Sequence, residues 1–300
     1  MAPLASPSKD PVGRRIGHYL TNAVIVGLVR FALMIPYSAR LSFVGWMVER
    51  VVGPLAGYRK RARQNLAMIW PEISDDRRDE IADRCLNNVG RSFIENYSPR
   101  EFPDRMAKNT PTGAGVSALE QAAATGRAVI LVTGHYGNYE ATRACLVARG
   151  YDIGGLYRDM KNPYFNAHYV KTMEAFGGPV FAQGRRGTAG FVRHLKQGGQ
   201  LVLLFDQHVF GAPQLDFLGE PANTALSAAE LALRYDALLI PFYGIRQADG
   251  LSFETVLEAP IPHTDALTMT QLLNDSLAAR IIADPEQWFW VHRRWRINDN

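Results

Sequence analysis

Two patterns of apolar positions divide the chain. Between residues 128 and 257, short aliphatic and β-branched runs of strand length alternate with segments whose apolar residues recur at helical spacing. The predicted strands cover residues 129–132, 152–157, 179–182, 200–205, 237–243 and 251–257. The predicted helices cover residues 139–149, 162–176, 188–196, 224–235 and 266–282. This alternation predicts an α/β fold, a mostly parallel central sheet flanked by helices.

The N-terminal part has a different pattern. Residues 16–35 are the most apolar stretch of helical length, and a second apolar stretch, 41–52, follows Pro36. Twenty residues suffice to cross a bilayer, although Arg30 interrupts the run near one end. We interpret residues 1–57 as an N-terminal helical membrane-associated segment that spans once or lies in the interface, and 58–300 as the α/β domain. The alternative is a soluble helical hairpin packed on that domain.

Between these parts the pattern indicates more helix. Residues 75–97 read as a helix with Ser74 as its N-cap, and residues 115–124 as a shorter one. We expect residues 100–113, which are rich in proline, to form a loop.

Charge is unevenly distributed. The 300 residues carry a net charge of +4, but residues 1–70 hold ten Lys or Arg against Asp10 and Glu49. A basic, apolar N-terminal part favours an anionic membrane surface as partner over nucleic acid. The basic run at residues 58–63 follows the apolar part, so the positive-inside rule places the domain in the cytoplasm.

The chain has two cysteines, Cys85 and Cys145, with no CxxC pair. This usage favours a reducing compartment and argues against a disulfide framework or a zinc module. Cys145 lies on the predicted helix after residue 135, where it is either a nucleophile or a buried apolar thiol.

The strongest candidate for chemistry is His135, which directly follows the turn that ends strand 129–132. Open α/β sheets bind ligands at the carboxyl ends of their strands. Glu140 lies five positions on, in the first turn of the next helix, so the two residues form a candidate general base and orienting partner. Glu140 could instead only favour the helix N-terminus. The spacing is not that of a zinc helix, so we expect no metal.

Other strands also end in polar residues. The second predicted strand ends at Arg158, the third leads to Arg185 and Arg186, and the fourth ends at Asp206. If the sheet is parallel, all of these lie along one edge above a common cleft. Each has a plainer alternative: Arg158 pairs with Asp159, the arginine pair forms a solvated loop, and Asp206 orients its own loop.

Three tryptophans, Trp288, Trp290 and Trp295, alternate with basic residues near the C-terminus. They form either an aromatic and basic band at a membrane interface or part of the core. The interleaved residues are His292, Arg293, Arg294 and Arg296.

In combination these motifs resemble the late acyltransferases of bacterial lipid A biosynthesis, in the glycerolipid acyltransferase superfamily. GHYGNYE resembles the HX4D/E signature, a weak pattern by itself. Further matches, in order, are QNLAMIWP, YRDMKNPYFNAHY, FAQGRRGTAGFVRHLKQGG, the long segment that begins LLFDQHVFGAP, and PEQWFWVHRRWR. The resemblance extends from about residue 59 to residue 296.

The resemblance implies transfer of a fatty acyl chain from acyl carrier protein, or alternatively coenzyme A, to a hydroxyl of a lipid A precursor. It implies His135 as base, Glu140 as its acidic partner, Arg158 as a basic site residue and Asp206 as an acidic one. It also implies an enzyme of the inner membrane, on its cytoplasmic face, with 58–300 as the acyltransferase domain and no cofactor.

The chemistry agrees with this expectation. A thioester is already activated, so the reaction lacks only a better nucleophile, which a neutral imidazole supplies by taking the hydroxyl proton. We expect Glu140 to accept a hydrogen bond from the other ring nitrogen, and Arg158 with backbone N–H groups near Gly137 and Asn138 to stabilise the oxyanion. The predicted substrate-binding residues are Asn138, Arg158, Arg185, Arg186 and Asp206. No GxSxG elbow is present, which favours direct transfer in a ternary complex.

Two alternatives stay open at this point. One keeps the chemistry and changes the acceptor to another membrane glycolipid, such as a phosphatidylinositol mannoside. The other is a protein that binds glycolipid without catalysis. It would be favoured if His135 and Glu140 were too far apart to hydrogen-bond and no tunnel led to them.

Overall fold

The structure, a computed structural model, describes residues 11–295. The helices are α1 Val12–Leu33, α2 Tyr37–Met47, α3 Gly53–Leu55, α4 Tyr58–Ile69, α5 Asp75–Asn96, α6 Glu101–Met106, α7 Gly115–Thr125, α8 Tyr139–Val147, α9 Pro163–Ala175, α10 Arg185–Lys196, α11 Ser227–Tyr235 and α12 Ala266–Ala283. The strands are β1 Val129–Thr133, β2 Ile153–Tyr157, β3 Val180–Ala182, β4 Gln200–Leu204, β5 Gln214–Phe217, β6 Glu220–Asn223, β7 Leu238–Arg246 and β8 Phe253–Leu257. A π-helical segment, Val48–Val52, joins α2 to α3.

Six strands form the central sheet in the order β3-β2-β4-β1-β7-β8. The first five run parallel to their neighbours, and only β8 pairs antiparallel, with β7. Strand β1 lies inside the sheet between β4 and β7, and all five of its residues are buried. Its apolar, β-branched sequence suits a strand that is covered on both faces. The predicted mostly parallel sheet with flanking helices is confirmed.

Local signals in the sequence set several helix starts as predicted. The Ser74 hydroxyl accepts a hydrogen bond from the backbone N–H of Arg77 and caps α5. The side chain of Asn162 accepts from the backbone N–H of Tyr164 and caps α9, with Pro163 at the first helical position.

One element was not predicted, and two local predictions were wrong. The hairpin of β5 and β6 was missed because its turn uses Leu218 and Gly219, both at positive φ, without the usual Asn-Gly signal. Helix α6 lies within the predicted loop 100–113. Helix α11 begins at Ser227 rather than 224. Asn223 still pairs within the hairpin, and the hydroxyl of Thr224 accepts a hydrogen bond from the buried guanidinium of Arg294.

The N-terminal helices differ in how they contact the domain. Helix α2 packs along α5, where Gly90 allows the backbone of Val44 to come close. Helix α1 buries only Val29 and Ala32 and leaves apolar side chains such as Ile16 and Leu20 exposed. Among residues 11–295, α1 is the helix with the length and apolar composition to cross a membrane.

The three C-terminal tryptophans belong to the core. Trp288 and Trp290 are fully buried, Trp295 is nearly so, and their rings contact one another and Phe217. The structure therefore supports the core alternative rather than a membrane-interface band. Of the basic residues interleaved with them, Arg296 lies outside the described residues.

Candidate active site

The fold brings His135 and Asp206 together at the carboxyl edge of the sheet. Strands β1 and β4 are parallel neighbours with Thr133 opposite Leu204, and each functional residue lies two positions beyond its strand. The Nδ1 atom of His135 lies 2.7 Å from Oδ1 of Asp206. The backbone N–H of His135 donates to Oδ2 of the same carboxylate, also at 2.7 Å. One carboxylate therefore fixes both the main chain and the ring of the candidate base.

The surroundings of Asp206 keep it ionised. The side chain is completely buried, and Trp288 donates its indole N–H to Oδ2 at 2.9 Å. Burial opposes the charge, but the contacts with His135, through charge and hydrogen bonds, outweigh it and hold the pKa of Asp206 well below its usual range. A carboxylate in contact with Nδ1 favours the tautomer with the proton on that atom, which leaves Nε2 to accept a proton. The His135 side chain is 25% exposed, so a substrate can reach it.

Two glycines make this approach possible. A Cβ on Gly134 would lie 2.5 Å from Leu277 and 2.9 Å from the Asp206 carboxylate, closer than atoms can pack. Gly137 has φ +56°, and a Cβ there would collide with the carbonyl oxygen of Gly244. The turn after β1 is thus built for close contact with Asp206 on one side and with β7 on the other.

Glu140 has a different partner from the one the sequence suggested. Its carboxylate lies 3.0 Å from the guanidinium of Arg143, one helical turn on, which also donates to the carbonyl of Gly177. Both side chains are buried or nearly so. The hydrogen bond expected from His135 goes to Asp206 instead, because the first turn of α8 directs Glu140 toward Arg143. A catalytic role for Glu140 stays a prediction.

Asn138 is buried and bonded within the fold. Its side chain caps α8 through the backbone N–H of Glu140 and donates to Glu95 at 2.9 Å. The backbone N–H groups of Gly137 and Asn138 donate to the carbonyls of Gln287 and Gly244. These groups therefore already have hydrogen-bond partners within the fold. The sequence had suggested them as oxyanion donors and as a substrate contact.

The three predicted arginines follow strands β2 and β3, which end on the same edge of the sheet as β1 and β4. Arg158 follows β2, next to β4, and Arg185 and Arg186 open α10 after β3, one strand further out. All three are exposed, and within residues 11–295 none of their guanidinium groups has an ion-pair partner. They are free to contact an anionic ligand that approaches this edge.

His292 lies beside the candidate base, although the sequence indicated it only as one of the basic residues interleaved with the C-terminal tryptophans. Its ring centre lies 4.4 Å from that of His135, with the rings nearly perpendicular. Burial, followed by the nearby His135, lowers the pKa of His292 to about 4, so the ring is neutral at pH 7. Its buried Nε2 has no hydrogen-bond partner among residues 11–295. Position 292 is distant from 135 in sequence, so no spacing could indicate this contact.

His135, Asp206 and His292 could in principle hold a metal ion, since each offers one ligand atom and these lie within 4.8 Å of one another. Two ligands of one tetrahedral zinc lie about 3.3 Å apart, given bond lengths of about 2.0–2.2 Å. The 2.7 Å between Nδ1 of His135 and Asp206 is instead the length of a charge-assisted hydrogen bond. The geometry fits a His–Asp dyad better than a metal centre.

The cysteines do not enter the site. Both are free and buried, and burial raises the pKa of the Cys85 thiol to about 12 and raises that of Cys145 as well. A thiol kept protonated by burial is a poor nucleophile, so the structure supports the buried-thiol alternative for Cys145.

An imidazole bonded to a buried carboxylate lies at the carboxyl edge of a parallel sheet, and no serine or cysteine of the described residues is bonded to it. This arrangement suits an enzyme that activates a substrate's own nucleophile. The comparisons with known proteins agree. The family of bacterial lipid A biosynthesis acyltransferases matches residues 8–297. The chain belongs to this family and is an acyltransferase, as the sequence motifs suggested.

Individual relatives are distant but matched over nearly their whole length. A lipid A biosynthesis lauroyltransferase of Escherichia coli (strain K12) is 26% identical over 282 residues, which are 90% of each chain. The palmitoleoyltransferase of the same organism is 23% identical, over 90% of this chain and 89% of the relative. A phosphatidylinositol mannoside acyltransferase of Mycobacterium tuberculosis is 24% identical, over 84% of this chain and 86% of the relative.

Proposed function

We propose that this enzyme transfers a fatty acyl chain from acyl carrier protein to a hydroxyl of a lipid A precursor, with His135 as general base oriented by Asp206. The observation that carries the mechanism is the 2.7 Å contact between Nδ1 of His135 and the buried Asp206. Membership of the lipid A acyltransferase family supports the acceptor class. Glu140, the partner suggested by the sequence, holds Arg143 in this mechanism.

The proposed step needs one proton acceptor and one proton return. Nε2 of His135 takes the proton of the acceptor hydroxyl as its oxygen attacks the thioester carbonyl. Asp206 stabilises the imidazolium that forms. The tetrahedral intermediate then collapses, the carbon–sulfur bond breaks, and the imidazolium returns its proton to the departing thiolate. An ester and a free thiol result, and no acyl-enzyme forms.

His292 supplies the hydrogen bond that the occupied backbone N–H groups cannot. Its neutral ring lies beside His135, and its Nε2 is buried without a partner among the described residues. A buried unpaired nitrogen is costly unless a bound substrate satisfies it. We assign to His292 a contact with the reacting oxygen, either as the hydroxyl approaches or as the oxyanion forms.

The acyl chain has a candidate entrance next to the base. Tyr139, whose ring centre is 6.2 Å from that of His135, also lines a small cavity between the sheet and α9. Leu156, Met173 and Leu204 contribute apolar surface to this cavity. Helix α9 has no fully buried residue, so a modest movement of α9 would widen the cavity for an acyl chain.

Three exposed arginines are available to bind phosphate. Arg158, Arg185 and Arg186 suit phosphate groups of the acceptor or of the pantetheine arm, because guanidinium binds phosphate in a bidentate manner.

We place residues 1–57 in or on the inner membrane and the acyltransferase domain, 58–300, on its cytoplasmic face. The exposed apolar surface of α1 supports this placement.

An in vitro assay tests the function. The purified enzyme is given labelled acyl-acyl carrier protein and either a lipid A precursor or a phosphatidylinositol mannoside, and each product is identified by mass spectrometry. The proposal expects transfer to the lipid A precursor and no transfer by the His135→Ala variant. If the enzyme prefers the mannoside, the proposed acceptor is wrong and the acceptor resembles that of the mycobacterial relative. The proposed mechanism would still hold.

A further inference from the structure

A basic groove lies beside the candidate active site, between α4 and the C-terminal segment. It has a volume of about 440 Å³. Three cations line it, Lys60 and Arg61 from α4 and Arg293 from the segment after α12, and none of the described residues that line it is acidic. Two basic stretches that are more than 200 residues apart in sequence thus form one surface.

The cations of this groove are not neutralised by the fold. Within residues 11–295, Lys60 and Arg293 have no ion-pair partner, and Arg61 contacts only the ring of Tyr58, at 6.0 Å. The other basic residues of α4 are paired: Arg59 lies 2.5 Å from Asp83, and Arg63 lies 2.8 Å from Asp79. The helix therefore keeps one face neutral against α5 and presents net positive charge on the other.

The groove and the site share one segment of the chain. Asn65, on its wall, donates hydrogen bonds to the backbone carbonyls of Trp290 and His292, the latter at 2.8 Å. His292 contacts His135, and Arg293 is the next residue. The groove and the candidate base therefore contact the same short segment, residues 290–293, so a protein docked in the groove lies near the site.

We infer that this groove, centred on Lys60, Arg61 and Arg293, docks the acidic surface of the acyl carrier protein that delivers the thioester. The inference rests on the proposed function, which takes acyl carrier protein as donor. Acyl carrier proteins are acidic, and complementary charge at an interface raises the association rate and fixes register. The position beside His292 favours this occupant, because a donor protein must dock near the reacting atoms.

Charge reversal in the groove tests the inference. The variant is Lys60→Glu with Arg61→Glu. The matched control is Lys196→Glu with Arg234→Glu, two cations on other helices that each lie over the ring of Tyr235. Acyl transfer is measured with acyl-acyl carrier protein and, separately, with acyl-pantetheine, which carries the same thioester without the acidic protein. Thermal unfolding of both variants verifies that they fold.

The inference expects KM for acyl-acyl carrier protein to rise at least about tenfold in the groove variant, with kcat and the rate with acyl-pantetheine unchanged. The control variant retains the original KM. High salt should lower the native enzyme's kcat/KM for acyl-acyl carrier protein toward the value of the groove variant, because salt screens the same charges. Arg293→Glu alone should give a smaller effect of the same kind.

Two results would overturn the inference. In one, KM for acyl-acyl carrier protein is unchanged while binding to phosphatidylglycerol vesicles falls, which assigns the groove to the membrane surface. In the other, the rates with both donors fall equally, which assigns it to the acceptor or to the catalytic step. An unmodified enzyme that is inactive with acyl-acyl carrier protein but active with acyl-coenzyme A contradicts the proposed donor itself and is recognised before any variant is made.

Discussion

Nδ1 of His135 lies 2.7 Å from Oδ1 of Asp206, although 71 positions separate the two residues in sequence. Asp206 is fully buried and also accepts hydrogen bonds from the His135 backbone and the Trp288 indole. The pair therefore has a single well-defined geometry. In this geometry the outer ring nitrogen of His135 is the group available to a substrate.

The buried pair of Glu140 and Arg143 gives a first prediction. Glu140→Gln leaves the nearly buried Arg143 without its counter-charge, which should lower the free energy of unfolding by about 3–5 kcal/mol. Urea denaturation measures the loss. The double variant Glu140→Gln with Arg143→Met should recover most of it, because no unpaired charge remains buried. A stable but inactive Glu140→Gln protein would instead point to a direct catalytic part for Glu140.

The sequence was sufficient for the sheet and for the position of His135 at the end of a strand, but not for the side chain that contacts His135. Strand and helix periodicity locate β1 and α8, and a histidine after a buried strand is a local signal. The partner depends on which strand lies next to β1, and the order β4-β1-β7 is set by packing over the whole domain. Glu140 was the nearest carboxylate in sequence, yet the turn of α8 pairs it with Arg143. His292 was missed as a site residue for the same reason, since only the tertiary fold brings it to His135.

Gly134 gives a second prediction. In Gly134→Ala the added methyl group would press on Leu277 and on the Asp206 carboxylate, so we expect a loss of about 1–3 kcal/mol in stability. Activity should fall as well, because the same contact displaces the partner of His135. Thermal unfolding and kcat measure the two effects. Gly27→Ala, where no atom lies within 4 Å of the new methyl group, is the control and should not lower the stability. Equal behaviour of the two variants would mean that the turn after β1 is not tightly packed.

The lowered pKa of His292 gives a third prediction, on the pH dependence of stability. The folded protein holds this ring neutral down to about pH 4, whereas the unfolded chain protonates it near 6.5. Between these values the unfolded state binds more protons, so the free energy of unfolding falls as the pH falls, by up to about 3 kcal/mol from this residue.

His292→Gln isolates that contribution. Urea denaturation at about pH 7 and about pH 4.5 should show a smaller acid-induced loss of stability in His292→Gln than in the native protein. Parallel losses in the two proteins would show that His292 titrates normally in the folded state.

The ligand-like cluster of His135, Asp206 and His292 gives a fourth prediction. Because the short contact between His135 and Asp206 is a hydrogen bond, removing divalent metals by dialysis against a chelator should leave kcat unchanged. The measurement is the acyl-transfer rate before and after dialysis. A loss of activity that zinc restores would assign the cluster to a metal.

The central claim is that Asp206 orients His135 for proton transfer, and kcat of Asp206→Asn measures it most directly. The amide keeps the size of the side chain but cannot stabilise the imidazolium, so the account predicts that kcat falls by about 10²- to 10⁴-fold with little change in KM for the acyl donor. The His135→Ala, Asp206→Asn double variant should be no slower than His135→Ala alone, because the two residues act as one unit. A folded Asp206→Asn enzyme with kcat close to that of the native protein would contradict the account.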